Sequence, residues 1–342
     1  MRVLVTGHQG YLGTVMVPML IAAGHEVAGL DNGYFADCIL GPVPADPPLV
    51  GADLRDVTPD QLIGFDAVVH LAALSNDPLG ALEPDVTHEI NHHASVRLAR
   101  AAKDAGVGRF LYASTCSVYG AAGAGLVGED AALHPLTPYA ESKVRVEADV
   151  AALTDSSFVP VFLRNATAFG FSPRLRADIV LNNLVGHAVL TGDVRVLSDG
   201  TPWRPLVHAQ DIARAFIVCL TAPAEVVGAR AYNVGTEANN LTVAEIAEGV
   251  AQTVPGSTLL ITGESGPDPR SYRVDFSRAR DELGFEAQWT IPAGAKELFE
   301  AYTAYGLTAD AFTRRFTRLA RLQSLRDGGH LDPTMRRITA GA

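Results

Sequence analysis

Short apolar runs recur along the first two thirds of this chain, separated by longer mixed segments. Val3-Leu4-Val5-Thr6, Glu26-Val27-Ala28-Gly29-Leu30, Ala67 to Ala73, Phe110-Leu111-Tyr112-Ala113, Val159 to Arg164 and Ala231 to Gly235 read as strands. Runs of this length without polar alternation fit strands covered on both faces, as in a parallel sheet. Between them, residues 14–23, about 86–105 and 139–153 read as helices, the first closed by Gly24. Strand and helix in alternation predict an α/β fold with a doubly wound, Rossmann-type parallel sheet. Residues 34–50 and 121–138, rich in Pro, Gly or Ala, read as loops.

The pattern changes after about residue 168. A loop with two arginines begins at Pro173, a helix covers roughly 178–191, and Val194 to Leu197 reads as a hairpin-like stretch. Trp203 to His208 precedes a helix at about 210–221; a helix at 242–253 and a strand at 258–262 follow. The end of the chain, from about Ala293 to Arg326, reads as mostly helical.

Composition narrows the classes. A length of 342 residues predicts one large or two intimate domains, and 48% apolar residues are ample for a core. A net charge of −11 argues against nucleic acid or an anionic membrane as main partner, so a negative substrate needs a local cluster of Arg or Lys. Cys38, Cys116 and Cys219 are too few and too scattered for a disulfide framework or a zinc site, and no metal is expected. Met1 and Arg2 lead straight into the first strand, no leader is read there, and no apolar run reaches the ~20 residues of a membrane span. The expectation is a soluble cytoplasmic protein.

The first strand runs into Gly7-His8-Gln9-Gly10-Tyr11-Leu12-Gly13. Gly7 and Gly10 permit a tight turn and close backbone approach to a pyrophosphate; Gly13 permits close helix packing, and the helix N-terminus offers N–H donors to the anion. An acid, Asp31, stands 18 residues beyond Gly13 at the end of the second strand, placed for ribose hydroxyls or for a turn with Asn32-Gly33. No Arg or Lys follows before Arg55, which favours NAD over NADP. Ala52 to Asp56 can line an adenine site, with helix capping by Asp56 as the alternative. His70 reads as a hydrogen-bonded core residue; Ser75-Asn76-Asp77-Pro78 is a polar loop at a strand's carboxyl end.

Tyr139 and Lys143 stand four apart, one turn of helix, and so share a face. A phenol with a pKa of about 10 is a poor base, and an ammonium one turn away lowers that value. Such a pair suits proton removal from a sugar hydroxyl as hydride leaves carbon.

TGHQGYLG at the start, HLAA at 70–73, STCSVYG at 114–120, YAESK at 139–143 and RPLVHAQDIARA at 204–215 together resemble the extended short-chain dehydrogenase/reductase family, in its NAD-dependent nucleotide-sugar epimerase/dehydratase branch. The resemblance spans roughly residues 1–300. It implies an NAD-binding Rossmann domain over 1–168, rejoined by about 205–235, a nucleotide-sugar domain from 169–204 and 236–300, and a helical tail over 301–342. It implies Tyr139 as acid/base, Lys143 as its pKa-lowering and ribose-binding partner, and Thr115 as the hydroxyl on the reacting sugar oxygen; Thr115 can equally cap its own backbone. Cofactor contacts are expected from Gly7, Gly10, Tyr11, Leu12, Gly13, Asp31, Asn32, Asp53, Leu54, Leu71, Ala72, Ala73 and Asn91, besides Tyr139 and Lys143. Substrate contacts are expected from Ser75, Thr115, Thr167, Asn183, Arg204, Arg270 and Tyr272, with Arg204 and Arg270 suited to a diphosphate.

Dehydratases of this branch carry Asp and Glu after the Thr115 position; here stand Cys116 and Ser117, and Cys116 reads as a small packing residue. The resemblance therefore implies a nucleotide-sugar epimerase, acting at C4 through a transient 4-keto sugar. A 4,6-dehydratase, decarboxylase or 4-ketoreductase on the same fold is the alternative, and a non-catalytic NAD-binding protein the more distant one. Thr167 stands where sugar 4-epimerases often carry Asn. The family implies a homodimer through the helices at 86–105 and 139–153. The arginines of the tail (Arg314, Arg315, Arg318, Arg321 and Arg326) match no general motif of it and suit a branch-specific helix or an interface.

Overall fold

The computed structural model describes residues 1–75, 83–121, 125–264 and 271–338. In chain order its strands are Arg2–Thr6 (β1), Glu26–Leu30 (β2), Leu49–Gly51 (β3), Ala67–His70 (β4), Arg109–Thr115 (β5), Leu126–Val127 (β6), Val159–Asn165 (β7), Thr167–Phe169 (β8), Asp193–Val196 (β9), Trp203–His208 (β10), Arg230–Val234 (β11), Asn240–Thr242 (β12), Thr258–Ile261 (β13) and Arg273–Val274 (β14).

Seven strands make one parallel sheet in the order β11-β7-β5-β4-β1-β2-β3. The chain lays β1, β2 and β3 out to one edge, returns to β4 beside β1, and continues outward through β5, β7 and β11 to the other edge. The order therefore reverses between β1 and β4, and the crevice at their carboxyl ends is where such sheets bind ligands. Period two along the strands sends Val3, Val5, Val69 and Leu111 to one face and Leu4, Val68 and Phe110 to the other. Helices Tyr11–Ala22 and Ala209–Thr221 cover the first face, and Ala94–Asp104 and Pro138–Ala151 the second. This is the doubly wound arrangement that the apolar runs predict.

Local signals set where the key helices begin. Thr137 accepts a hydrogen bond from Ala140 N–H at 3.2 Å and Pro138 fills the first helical position, so Tyr139 falls in the first turn and Lys143 one turn on. The helix expected over about 86–105 starts at Pro84 and is broken by a π-turn, Glu89–His93. The extra residue places Asn91 so that its side chain accepts Leu74 N–H at 2.7 Å and donates to Leu74 C=O at 3.1 Å.

A second core lies among helices Val180–Thr191, Val243–Thr253 and Ile291–Ala304. The stretch expected as a hairpin is not one: β9 pairs in parallel with β13, over sixty residues away. Alternating apolar residues predict a half-buried strand but not its partner. The loop expected over 34–50 gives way to the edge strand β3 at Leu49, and the loop at 121–138 contains β6, which pairs with β14. The tail is helical only in part. After helix Arg318–Asp327 it runs back non-helically, and Leu322, Leu325, Leu331 and Met335 pack on Tyr34, Leu74 and Ile90 of the first half.

Candidate active site

A cavity of about 970 Å³ opens at the carboxyl ends of β1, β2, β4, β5 and β7 and reaches into the second core. Its floor is the glycine turn. Gly7 holds φ at +74°, and a Cβ there would stand 2.8 Å from Ala72 N; a Cβ on Gly13 would stand 2.2 Å from Gly7 O. Only glycine lets the turn, the β4 end and the helix meet this closely. Helix Tyr11–Ala22 has no acid in its first turn and no side-chain cap at Gly10, so its first N–H donors are left for an anion.

Asp31 lies half-buried beside the turn. Its carboxylate accepts Gln9 N–H at 2.9 Å and Gly33 N–H at 2.8 Å, while burial pushes its pKa up against these donors. It thus anchors the Asn32-Gly33 turn and lines the cavity at once. Asp53, not Asp56, caps the short helical turn Leu54–Asp56, accepting Arg55 N–H at 2.9 Å. It also pairs with Arg55 at 2.5 Å, whereas Asp56 pairs with Arg336 at 2.6 Å. Sequence distance misjudged the cations near Asp31. Arg337, from the far end of the chain, donates from Nε to Asn32 O at 3.0 Å and from its guanidinium edge to Gly33 O.

Lys143 is buried and donates from Nζ to Ala113 C=O at 2.7 Å. The ammonium lies 4.5 Å from the Tyr112 ring and 5.6 Å from the Tyr139 ring. Burial pulls its pKa down to about 7, with Glu147 one turn on acting in the opposite direction. Thr115 ends β5; its hydroxyl accepts Ser117 N–H at 3.1 Å and lines the cavity. Behind Lys143, Glu147 pairs with Arg164 at 2.6 Å and accepts Ser114 O–H at 2.5 Å, and Arg164 donates to Tyr119 Oη at 3.0 Å. Cys116 is buried, its thiol donates to Arg164 C=O at 3.0 Å, and burial pushes its pKa well up, so it packs rather than reacts. His70 is a hydrogen-bonded core residue, with Nδ1 2.6 Å from Thr6 Oγ1 and Nε2 2.8 Å from Ser95 Oγ.

The cavity wall brings together Gly7, Gly10, Tyr11, Leu12, Gly13, Asp31, Asn32, Asp53, Leu54, Leu71, Ala72, Ala73, Ser75, Thr115, Tyr139, Lys143, Thr167, Asn183, Arg204 and Tyr272. Asn91 stands apart: its amide is committed to Leu74 and fixes the loop that carries Ser75. Arg270 and the Asn76-Asp77-Pro78 part of the polar loop lie outside the described residues. Asn165, Arg176 and Asp178, which sequence reasoning did not single out, also line the cavity, as does Arg318, which it read only as part of a tail helix or interface. Arg176 bonds Ser75 Oγ at 3.2 Å and pairs with Asp178 at 2.8 Å. The two arginines after Pro173 were the available signal for it.

A family model described as "NAD dependent epimerase/dehydratase family" matches residues 3–235. The UDP-glucose 4-epimerase of Mycolicibacterium smegmatis is 30% identical over 315 residues, covering 88% of this chain and 98% of its own. That of Corynebacterium glutamicum is 28% identical over 309 residues, covering 85% and 92%. Among solved structures, MoeE5 in complex with UDP-glucuronic acid and NAD superimposes with a TM-score of 0.75 at 29% identity, covering 89% of this chain and 99% of that one. The dTDP-glucose 4,6-dehydratase DesIV of Streptomyces venezuelae gives a TM-score of 0.76 at 27% identity, covering 89% and 97%.

Proposed function

We infer that this chain, which belongs to the NAD dependent epimerase/dehydratase family, is an NAD-dependent nucleotide-sugar epimerase acting at C4. The observation that carries this reading is Tyr139, Lys143 and Thr115 gathered on one wall of the cavity, with Cys116 and Ser117 where a dehydratase needs carboxylates. UDP-hexoses are the first substrates to try, because the relatives above are UDP-glucose 4-epimerases.

The residues present fit NAD. The glycine turn forms a close backbone cradle that any Cβ at Gly7 or Gly13 would fill, and its helix N-terminus is uncapped. Asp31, Asn32, Asp53 and Leu54 would hold the adenosine end, and Leu71 to Ala73, Tyr139 and Lys143 the nicotinamide end. NAD, when bound, supplies a hydride acceptor that returns the hydride within one turnover. The chain's own work is on the proton. Tyr139 takes the 4-hydroxyl proton and returns it after the sugar has turned. Lys143 stabilises the phenolate by its charge, and Thr115 hydrogen-bonds the reacting oxygen. Arg204, Asn183, Arg270 and Tyr272 grip the nucleotide diphosphate, so binding remote from C4 lets the sugar rotate without escaping.

A homodimer through helices Ala94–Asp104 and Pro138–Ala151 and a cytoplasmic location complete the proposal. All three cysteines are buried and free, which suits a reducing compartment, and among the described residues no helix is long and apolar enough to cross a membrane. The functional test is incubation with UDP-, dTDP-, GDP- and CDP-sugars in heavy water without added cofactor, followed by mass spectrometry and proton NMR. A product of unchanged mass with inverted C4 coupling is expected; loss of water or of CO₂ overturns the epimerase reading.

A further inference from the structure

We infer that Arg318, carried by the C-terminal tail, is a binding residue for phosphate oxygens of a ligand in the cavity. It lies beyond the 3–235 region that the family model matches. Its side chain lines the cavity although the residue is only 4% exposed. Nη1 and Nη2 are both buried and have no oxygen or nitrogen hydrogen-bond partner among the described residues; the neighbouring group is the weakly accepting Cys38 thiol. No carboxylate lies within ion-pair distance of it there: Asp178 pairs with Arg176 and Asp37 with Arg321.

A buried guanidinium with no direct carboxylate partner is costly: Asp178 acts on it only at a distance, and burial pulls its pKa down to about 10. The guanidinium stacks on Phe35 with its carbon 4.0 Å from the ring centroid. Stacking leaves the in-plane N–H edge free, the geometry with which arginine takes two oxygens of one anion. The side chain is also held on a fixed element. Its helix, Arg318–Asp327, is tied down by Arg321–Asp37 and Arg326–Glu83 pairs, both at 2.8 Å, and by Leu322 and Leu325. A surface arginine would fold out into water; this one is built in.

The proposed function, on which the ligand's identity rests, puts two diphosphates in this cavity, one on the dinucleotide and one on the sugar nucleotide. Phe35, Tyr11 and Arg176 line the same cavity as Arg318, with Phe35 stacked on its guanidinium. Both sources offer the same chemistry, and binding measurements separate them.

The test uses full-length Arg318→Gln and Arg318→Lys. NAD is titrated onto nucleotide-free protein, and UDP onto NAD-loaded protein, at several salt concentrations. Arg318→Gln is expected to raise one of the two Kd values tenfold or more and to flatten its salt dependence, with Arg318→Lys recovering part of the loss. A change in the NAD arm assigns the dinucleotide, and one in the UDP arm the sugar nucleotide. Both Kd values within twofold of wild type overturn the proposal, even if the variant melts earlier. Should Arg318→Gln not fold, Arg318→Lys carries the test: a Kd raised threefold or more supports it and one within twofold overturns it. Turnover is not read, so a lack of epimerase activity would count against the proposed function alone.

Discussion

Tyr139 and Lys143 illustrate what a single spacing can and cannot carry. Four residues on a helix guarantee a shared face, and the Thr137 cap fixes the register. If Tyr139 moves the sugar proton, Tyr139→Phe lowers kcat by about 10²–10⁴ with nucleotide binding retained. Steady-state rates and UDP titration of the variant check this together. His70 gives a second prediction. Burial, aided by the charge of Lys143, lowers its pKa from 6.5 to about 3. The folded state therefore keeps it neutral while the unfolded chain takes up a proton below about pH 6.5. Stability is undiminished above that pH and falls as the pH drops toward 3, by ~1.4 kcal/mol per pH unit crossed. Melting temperature against pH should fall more gently in His70→Gln than in wild type over that window. The glycine turn, Asp31, Tyr139 and Lys143 were legible because each is a local pattern. Arg176, Glu147 and Arg318 were not, since contacts with residues distant in sequence give each its setting.

At the scale of elements, the seven sheet strands were legible except β3, whose three residues make too short a run to stand out. The partner of β9 was invisible because periodicity specifies a face and not a neighbour. The π-turn was hidden for another reason: a helix with one extra residue has the same composition as one without it. That extra residue lets Asn91 close both backbone groups of Leu74. Asn91→Ala leaves a buried N–H and C=O unsatisfied and should lower unfolding free energy by about 2 kcal/mol. If the Leu74–Ser75 loop supports substrate, KM rises in the same variant while kcat holds. An unchanged denaturation midpoint would show that the loop is held by other means.

Across the whole molecule the chain passes back and forth between the seven-stranded sheet and the second core, and the returning tail adds a further tie to the first half. The sequence showed the tail's arginines but not where they go. Arg55 donates to Thr334 C=O at 2.6 Å, Arg336 pairs with Asp56 and Arg337 bonds the Asn32-Gly33 carbonyls. Met335 and Leu331 cover Tyr34 and Leu74. A chain ending at residue 316 would uncover that apolar patch and free the segments around Asp31 and Asp53. It should melt several degrees lower and bind NAD more weakly, measured by thermal unfolding with and without NAD; equal shifts on adding NAD to both proteins would refute the link to the cofactor.

The tail's destination also bears on the order in which the molecule is made. Translation delivers the glycine turn early and Met335 late, yet the turn lines the cavity and Met335 packs on Tyr34, which lines it too. The segment from Arg318 onward is made after every strand of the sheet. The nascent protein can pair its central strands while synthesis continues, but the strap over Tyr34 closes only afterwards. Newly made chains thus pass through an interval with the cavity open beside Asp31 and Tyr34, when a ligand meets less obstruction than in the finished protein.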